Sequence, residues 1–277
     1  MTDALPGPDD VARLLAAPRF ELVPIRGAEE EADHLPAGAT VELAARLAGR
    51  GFRAVPHLAA RLVEGPGHLE DATGRLVEAG VEDVFVIGGD PPEPVGPYGA
   101  AVDLLRALAR LGRPFQAAGI GGYPERHPLI GREELVRALL EKQPLASYIV
   151  TQICFEPERI ISWLRGIRGR GVTLPVHVGV PGAVSRRKLL EIGLRIGVGD
   201  SIRYLTKHGG LVARMMRRAS YRPDAVVAGL NGAPAGLGMA GFHINTFNQV
   251  RSTERWRRRA LASPWPAGAV EEDETGA

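Results

Sequence analysis

From residue 20 to about residue 259, short apolar runs of strand length alternate with amphipathic stretches of helix length. That alternation constrains the fold more than any other feature of the chain, because repeated β-then-α order builds a parallel sheet with covering helices. Strands are expected at 20–24, 53–57, 84–87, 115–120, 148–153, 175–180 and 241–246. Helices are expected near 41–50, 68–79, 99–111, 132–142, 157–168 and 185–195, with further helical stretches over 200–229 and a last helix ending near Arg259. A chain of 277 residues with this order favours a single (β/α)8 TIM-type barrel over an open sheet. Seven strands stand out rather than eight, so the second β/α unit is read as shortened or missing. Ala39-Thr40-Val41 is the piece that would supply its strand, pressed against a helix capped by Thr40 and stopped by Gly51. Extra helices precede the last strand. The barrel is assigned to 20–262, with a helical extension over 1–19 (Asp9–Ala16 at its centre) and a disordered acidic tail over 263–277.

Chemistry concentrates at the strands. Glu21 sits inside Phe20-Glu21-Leu22-Val23-Pro24, where a carboxylate loses hydration and needs a partner, a raised pKa or a task. An arginine partner inside or at the rim of the barrel is the plain alternative. His57 closes Arg53-Ala54-Val55-Pro56-His57, Gly88-Gly89-Asp90 follows Val84-Phe85-Val86-Ile87, and Gln152 lies near the end of Tyr148–Ile153. In a parallel barrel those ends converge on one mouth, where an active site is expected. Net charge is only +2, which gives no reason to expect a nucleic-acid partner. The arginines at 251, 255 and 257–259 read as the solvated face of a terminal helix. One cysteine, no apolar run near membrane-span length and no signal-peptide pattern at the start lead to the expectation of a cytoplasmic protein without a membrane partner.

Some patterns mislead. Gly236-Leu237-Gly238-Met239-Ala240-Gly241 has dinucleotide-loop spacing, yet a loop precedes it and a strand follows, so it reads as a connection into the final strand. The seven histidines are scattered singly, and no metal site is expected. His177 and His243 fall on strands and read as hydrogen-bonded imidazoles. His34, His68 and His208 read as surface residues, and Cys154, between Ile153 and Phe155, as a packed core thiol.

Six segments in order resemble the methylenetetrahydrofolate reductase family: Phe20–Pro24, Pro56-His57-Leu58, Gly89-Asp90-Pro91-Pro92, Tyr123-Pro124-Glu125-Arg126-His127-Pro128, Thr151–Phe155 and Phe242–Asn248. The resemblance implies reduction of 5,10-methylenetetrahydrofolate to 5-methyltetrahydrofolate by NAD(P)H, usually through FAD. It implies Glu21 as general acid, and Asp90 and Gln152 as residues that meet the pterin or tune the cofactor. It adds Phe155 and Asn245 to the folate contacts, and His57, Gly89, Tyr123, His127 and Lys142 to the cofactor contacts. The assigned chemistry suits these residue types. A protonated carboxyl can supply the proton that ring opening needs, a carboxylate can balance the cationic iminium, and an amide matches the mixed edge of a pterin. The chain departs from the family where flavin is held. Gly88 stands where an arginine is common, Leu135–Lys142 keeps Lys142 as the one plausible contact, and the region around 39–43 is shortened. These losses resemble an actinobacterial-type subgroup that works without flavin. Alternative readings are an inactive folate-binding or partner-binding barrel and another flavin-dependent barrel oxidoreductase. A homo-oligomer is compatible with all of them.

Overall fold

A computed structural model describes residues 20–22, 37–125, 127, 130–185, 189, 220–231, 233–247 and 249–262. The helix expected over Asp9–Ala16, the tail from 263, most of the helix expected at 185–195 and all of 200–219 lie outside the described residues. Strands are β1 (Phe20–Leu22), β2 (Ala54–Ala59), β3 (Asp83–Ile87), β4 (Ala117–Gly122), β5 (Tyr148–Thr151), β6 (Val176–Pro181), β7 (Val184–Ser185), β8 (Ser220–Tyr221) and β9 (Met239–Asn245). Helices are α1 (Ala37–Ala48), α2 (Pro66–Glu78), α3 (Ala101–Arg110), α4 (Arg132–Lys142), α5 (Pro157–Gly169), α6 (Asp224–Leu230) and α7 (Val250–Ala262). The hydrogen-bonded order is β1-β2-β3-β4-β5-β6-β9, with β7 and β8 forming a separate antiparallel pair. The described pairings β1·β2, β2·β3, β3·β4 and β6·β9 are all parallel. The alternation therefore delivers the expected α/β parallel sheet, with seven strands.

The described residues divide into two compact units, those of Pro18–Gly121 with Arg137–Ile149, and those of Gly122–Val136 with Val150 onward. In the first, β2 and β3 are buried along nearly their whole length, as strands covered on both faces must be. Leu69, Ala72 and Leu76 of α2 and Leu104, Leu105 and Leu108 of α3 supply buried apolar stripes. Leu111 lies just past the end of α3 and is exposed. Ala39-Thr40-Val41 is not a strand: all three residues lie inside α1, and Thr40 is buried within the helix rather than capping it. The alanine-rich run 37–48 favours helix, and Val41 and Ala44, one turn apart, are both buried. Gly51 does end this segment, at φ 82°.

In the second unit, Val176, Val178 and Val180 of β6 are fully buried, as are Ile160 and Leu164 of α5. Trp256 of α7 is buried with Ala183, Val227 and Ala260, against which Phe242 and Ile244 of β9 pack. Its indole Nε1 donates to the Asp224 carboxylate at 3.0 Å, which satisfies the one polar atom of the ring. At the foot of β9 the Gly236–Gly241 run forms a 3-10 turn and then strand, as its context predicts. Arg168 fastens that turn. Its guanidinium donates to the carbonyls of Leu237 (2.9 Å), Gly238 (3.3 Å) and Val172 (2.7 Å).

Candidate active site

The first unit carries Glu21, His57, Gly89, Asp90 and Lys142. Glu21 takes the middle of β1 in register with Val55, two residues before His57 on the neighbouring strand. His57 is half-buried, and its ring lies 4.6 Å from that of Phe85, its register partner on β3, at an interplanar angle of 38°. Phe85 in turn pairs with Gly119, where a Cβ would come within 2.6 Å of the Phe85 ring and 2.5 Å of Tyr148. The missing side chain at 119 is what lets these two aromatic rings close over β4. The Tyr148 hydroxyl donates to one oxygen of the buried Asp83 carboxylate at 3.1 Å, which gives the buried phenol its partner.

Gly89 turns the chain after β3 at φ 96°, with space for a Cβ limited by Ala59 (3.3 Å) and Arg61 (3.5 Å). The turn thus packs against the end of β2, and the structure brings the His57 strand and the Gly89–Asp90 turn together. Asp90 is exposed at the surface of the turn. Lys142 is not with them. It closes α4, ahead of Ser147, whose amide donates to Ala118 at the start of β4, whereas Gly89 follows the far end of β3. Burial pulls its ammonium pKa down to about 8.

The second unit carries Tyr123, His127, Gln152, Phe155 and Asn245. Tyr123 and His127 meet edge to face, ring centroids 4.9 Å apart, and burial lowers the imidazole pKa. The Gln152 amide N–H donates to Gly122 at 2.7 Å, which sets this residue beside the start of the Tyr123 segment. Thr151 Oγ1 accepts from the Gly179 amide at 2.8 Å, and a Cβ at 179 would run into the Thr151 carbonyl. Across the β6–β9 pair, His177 faces Gly241, His243 faces Gly179 and Asn245 faces Pro181, so all six side-chain positions share one face. The two histidines are thus staggered by two residues, each opposite a glycine. Phe155 packs edge to face on Tyr221 at 5.6 Å, in a cluster with Ile153, Val184 and Leu189.

Two groups escaped the sequence reading. Arg61 donates to three carbonyls of the loop that carries Asp90, and a single arginine after a strand gives no signal of that role. Glu125, inside the Tyr123–His127 segment, acts on Cys154 and on Arg159, whose Nε binds Glu156 at 2.8 Å. Cys154 itself is fully buried, and desolvation pushes its thiol pKa far up, which makes it a core thiol rather than a nucleophile.

The sequence profile described as methylenetetrahydrofolate reductase matches residues 35–191, more than half of the 277 residues. Methylenetetrahydrofolate reductase 2 of Saccharomyces cerevisiae is 30% identical over 125 residues, 40% of this chain and 20% of that protein. Methylenetetrahydrofolate reductase 1 of Schizosaccharomyces pombe is 27% identical over 120 residues, with the same coverage of 40% and 20%. The matched part of the chain thus spans about a fifth of the length of each relative. Among solved structures, a tetrameric deoxyribose phosphate aldolase from Aeropyrum pernix superposes with a TM-score of 0.46 at 15% identity, over 91% of this chain and 92% of that one.

Proposed function

Because the chain belongs to the methylenetetrahydrofolate reductase family, we propose that it is an oxidoreductase reducing 5,10-methylenetetrahydrofolate to 5-methyltetrahydrofolate with NAD(P)H. One observation carries the reading: the family match encloses His57, the Gly89–Asp90 turn, Tyr123, His127, Gln152 and Phe155. Glu21 and Asn245 lie outside that span and hold their assignments through their own segments.

In this reading Glu21 gives its proton to the nitrogen that departs as the five-membered ring opens. Asp90 balances the cationic iminium, and Gln152 offers both a donor and an acceptor to the pterin edge. Asn245 adds a contact to the folate, as does the small part of Phe155 that the Tyr221 cluster leaves open. Reduced nicotinamide, when bound, supplies the hydride.

FAD, the usual carrier in the family, does not fit the described residues. Lys142, the cation expected at a flavin, belongs with the opposite strand ends from Gly89. Gly88 has no side chain to offer, and the Arg61 guanidinium over the same turn is committed to backbone carbonyls. Hydride transfer in this reading therefore runs directly from nicotinamide to folate. Among the described residues no helix is long and apolar enough to cross a membrane, and a cytoplasmic site of action belongs to the same proposal.

Purified protein is expected to show no flavin absorbance and to oxidise NADH or NADPH only when methylene-folate is present. Glu21→Gln is expected to keep the wild-type circular dichroism spectrum and to lose about 10²-fold or more in turnover. A stoichiometric flavin spectrum would overturn the direct-transfer assignment, and near-normal turnover of Glu21→Gln would remove the proposed acid.

A further inference from the structure

We propose that Arg61 is a positioning residue for Asp90, holding the loop 88–99 in one conformation through its backbone carbonyls. The inference rests on the reading that Asp90 meets the folate, and it adds a residue that no motif singled out.

The loop is built around this one side chain. Arg61 Nε donates to Gly99 at 2.9 Å, and Nη1 donates to Pro91 at 2.9 Å and Pro92 at 3.2 Å. Its main chain also takes part, the amide donating to Gly88 (2.9 Å) and the carbonyl accepting from Val95 (3.0 Å). These contacts touch the loop at its start, middle and end. Prolines at 91, 92, 94 and 97 leave the segment short of N–H donors, so its carbonyls need a donor from elsewhere. Farther along, Gly96 lies directly on the carbonyls of Val63 and Glu64, with no room there for a Cβ.

Asp90 is bracketed by this arrangement. Gly88 before it is tied to the Arg61 amide, and Pro91 after it to the guanidinium. Between them Gly89 takes a left-handed turn against Ala59 and Arg61 itself. A guanidinium is suited to this work because its planar fork reaches separated acceptors at once, whereas an ammonium is a single point. A carboxylate held this way is set before substrate arrives, and a charge developing in the transition state gains most from a group that does not have to move.

The test compares Arg61→Gln, Arg61→Lys, Asp90→Asn and the double variant Arg61→Gln/Asp90→Asn with the wild type. In the ligand-free protein, amide hydrogen exchange over 88–99 is expected to quicken about tenfold in both Arg61 variants, with β2 and β3 unchanged. Turnover with methylene-folate is expected to fall by about one to two orders of magnitude in both, while KM for the nicotinamide stays put. Arg61→Gln is expected to add no further loss in the Asp90→Asn background. Additive losses, wild-type turnover in Arg61→Lys, or exchange that quickens across the whole sheet would overturn the assignment. If the wild type does not turn over methylene-folate, the functional reading fails on its own. The exchange profile then decides Arg61 alone, and unchanged exchange over 88–99 removes it as the holder of the loop.

Discussion

His57, Phe85, Gly119 and Tyr148 occupy neighbouring strands, and each depends on the size of the next. Rings that rest on one another, above a position with no side chain, are set by packing as well as by hydrogen bonds such as that of Tyr148 to Asp83. Lys142 is the opposite case, a charge kept where hydration is poor. Its folded pKa of about 8 lies below the ordinary 10.5. Between those two values the unfolded chain holds a proton that the folded chain has released, so stability rises with pH across that window. Below about pH 8 both states are protonated and the full cost of burying the ammonium remains. Lys142→Met is therefore expected to be more stable than wild type at pH 7, by about 2 kcal/mol, with the gap closing toward pH 10. Urea unfolding of both proteins at the two pH values measures this, and a gap independent of pH would contradict it.

At the scale of single elements, α5 does more than cover the sheet. Arg168, in its last turn, ties the turn before β9 through the carbonyls of Leu237 and Gly238, with Gly238 at φ 66° leaving just enough space for the guanidinium. Arg168→Ala is expected to lower stability by about 1–3 kcal/mol, because three carbonyls lose a charged donor at once. A fall in the urea midpoint at constant m-value would show it, and an unchanged midpoint would mean that water replaces the side chain without loss. Nothing in the sequence marks this residue, since a basic side chain near a helix end has an ordinary reading in the helix dipole. The Gly236–Gly241 run was legible because its flanks, loop before and strand after, exclude a dinucleotide loop. Ala39–Val41 was not, because Thr and Val side by side imitate a strand, while the alanines around them and the burial of Val41 and Ala44 favour helix.

For the molecule as a whole, periodicity revealed the α/β order and the seven strands, whereas the family emerged from short strings at strand ends. Those strings locate His57, Gly89, Asp90 and Gln152 because strand ends are fixed by the fold. Lys142 was misplaced for the same reason in reverse: a helix that follows a strand runs back, and its last residue belongs with the other ends. Arg61 and Glu125 stayed hidden because partners far apart in sequence leave no spacing to read. Cys154, the chain's one cysteine, has no solvent exposure in the folded protein. The protein thus contains its own reporter of opening: a thiol reagent can react only when the surrounding residues part. Labelling of the native protein is expected to be slow and to accelerate in step with urea-induced unfolding, and immediate labelling in buffer would show that this side chain is already within reach of solvent. A colorimetric thiol assay could then rank variants by how often their interiors come apart, with no substrate at hand.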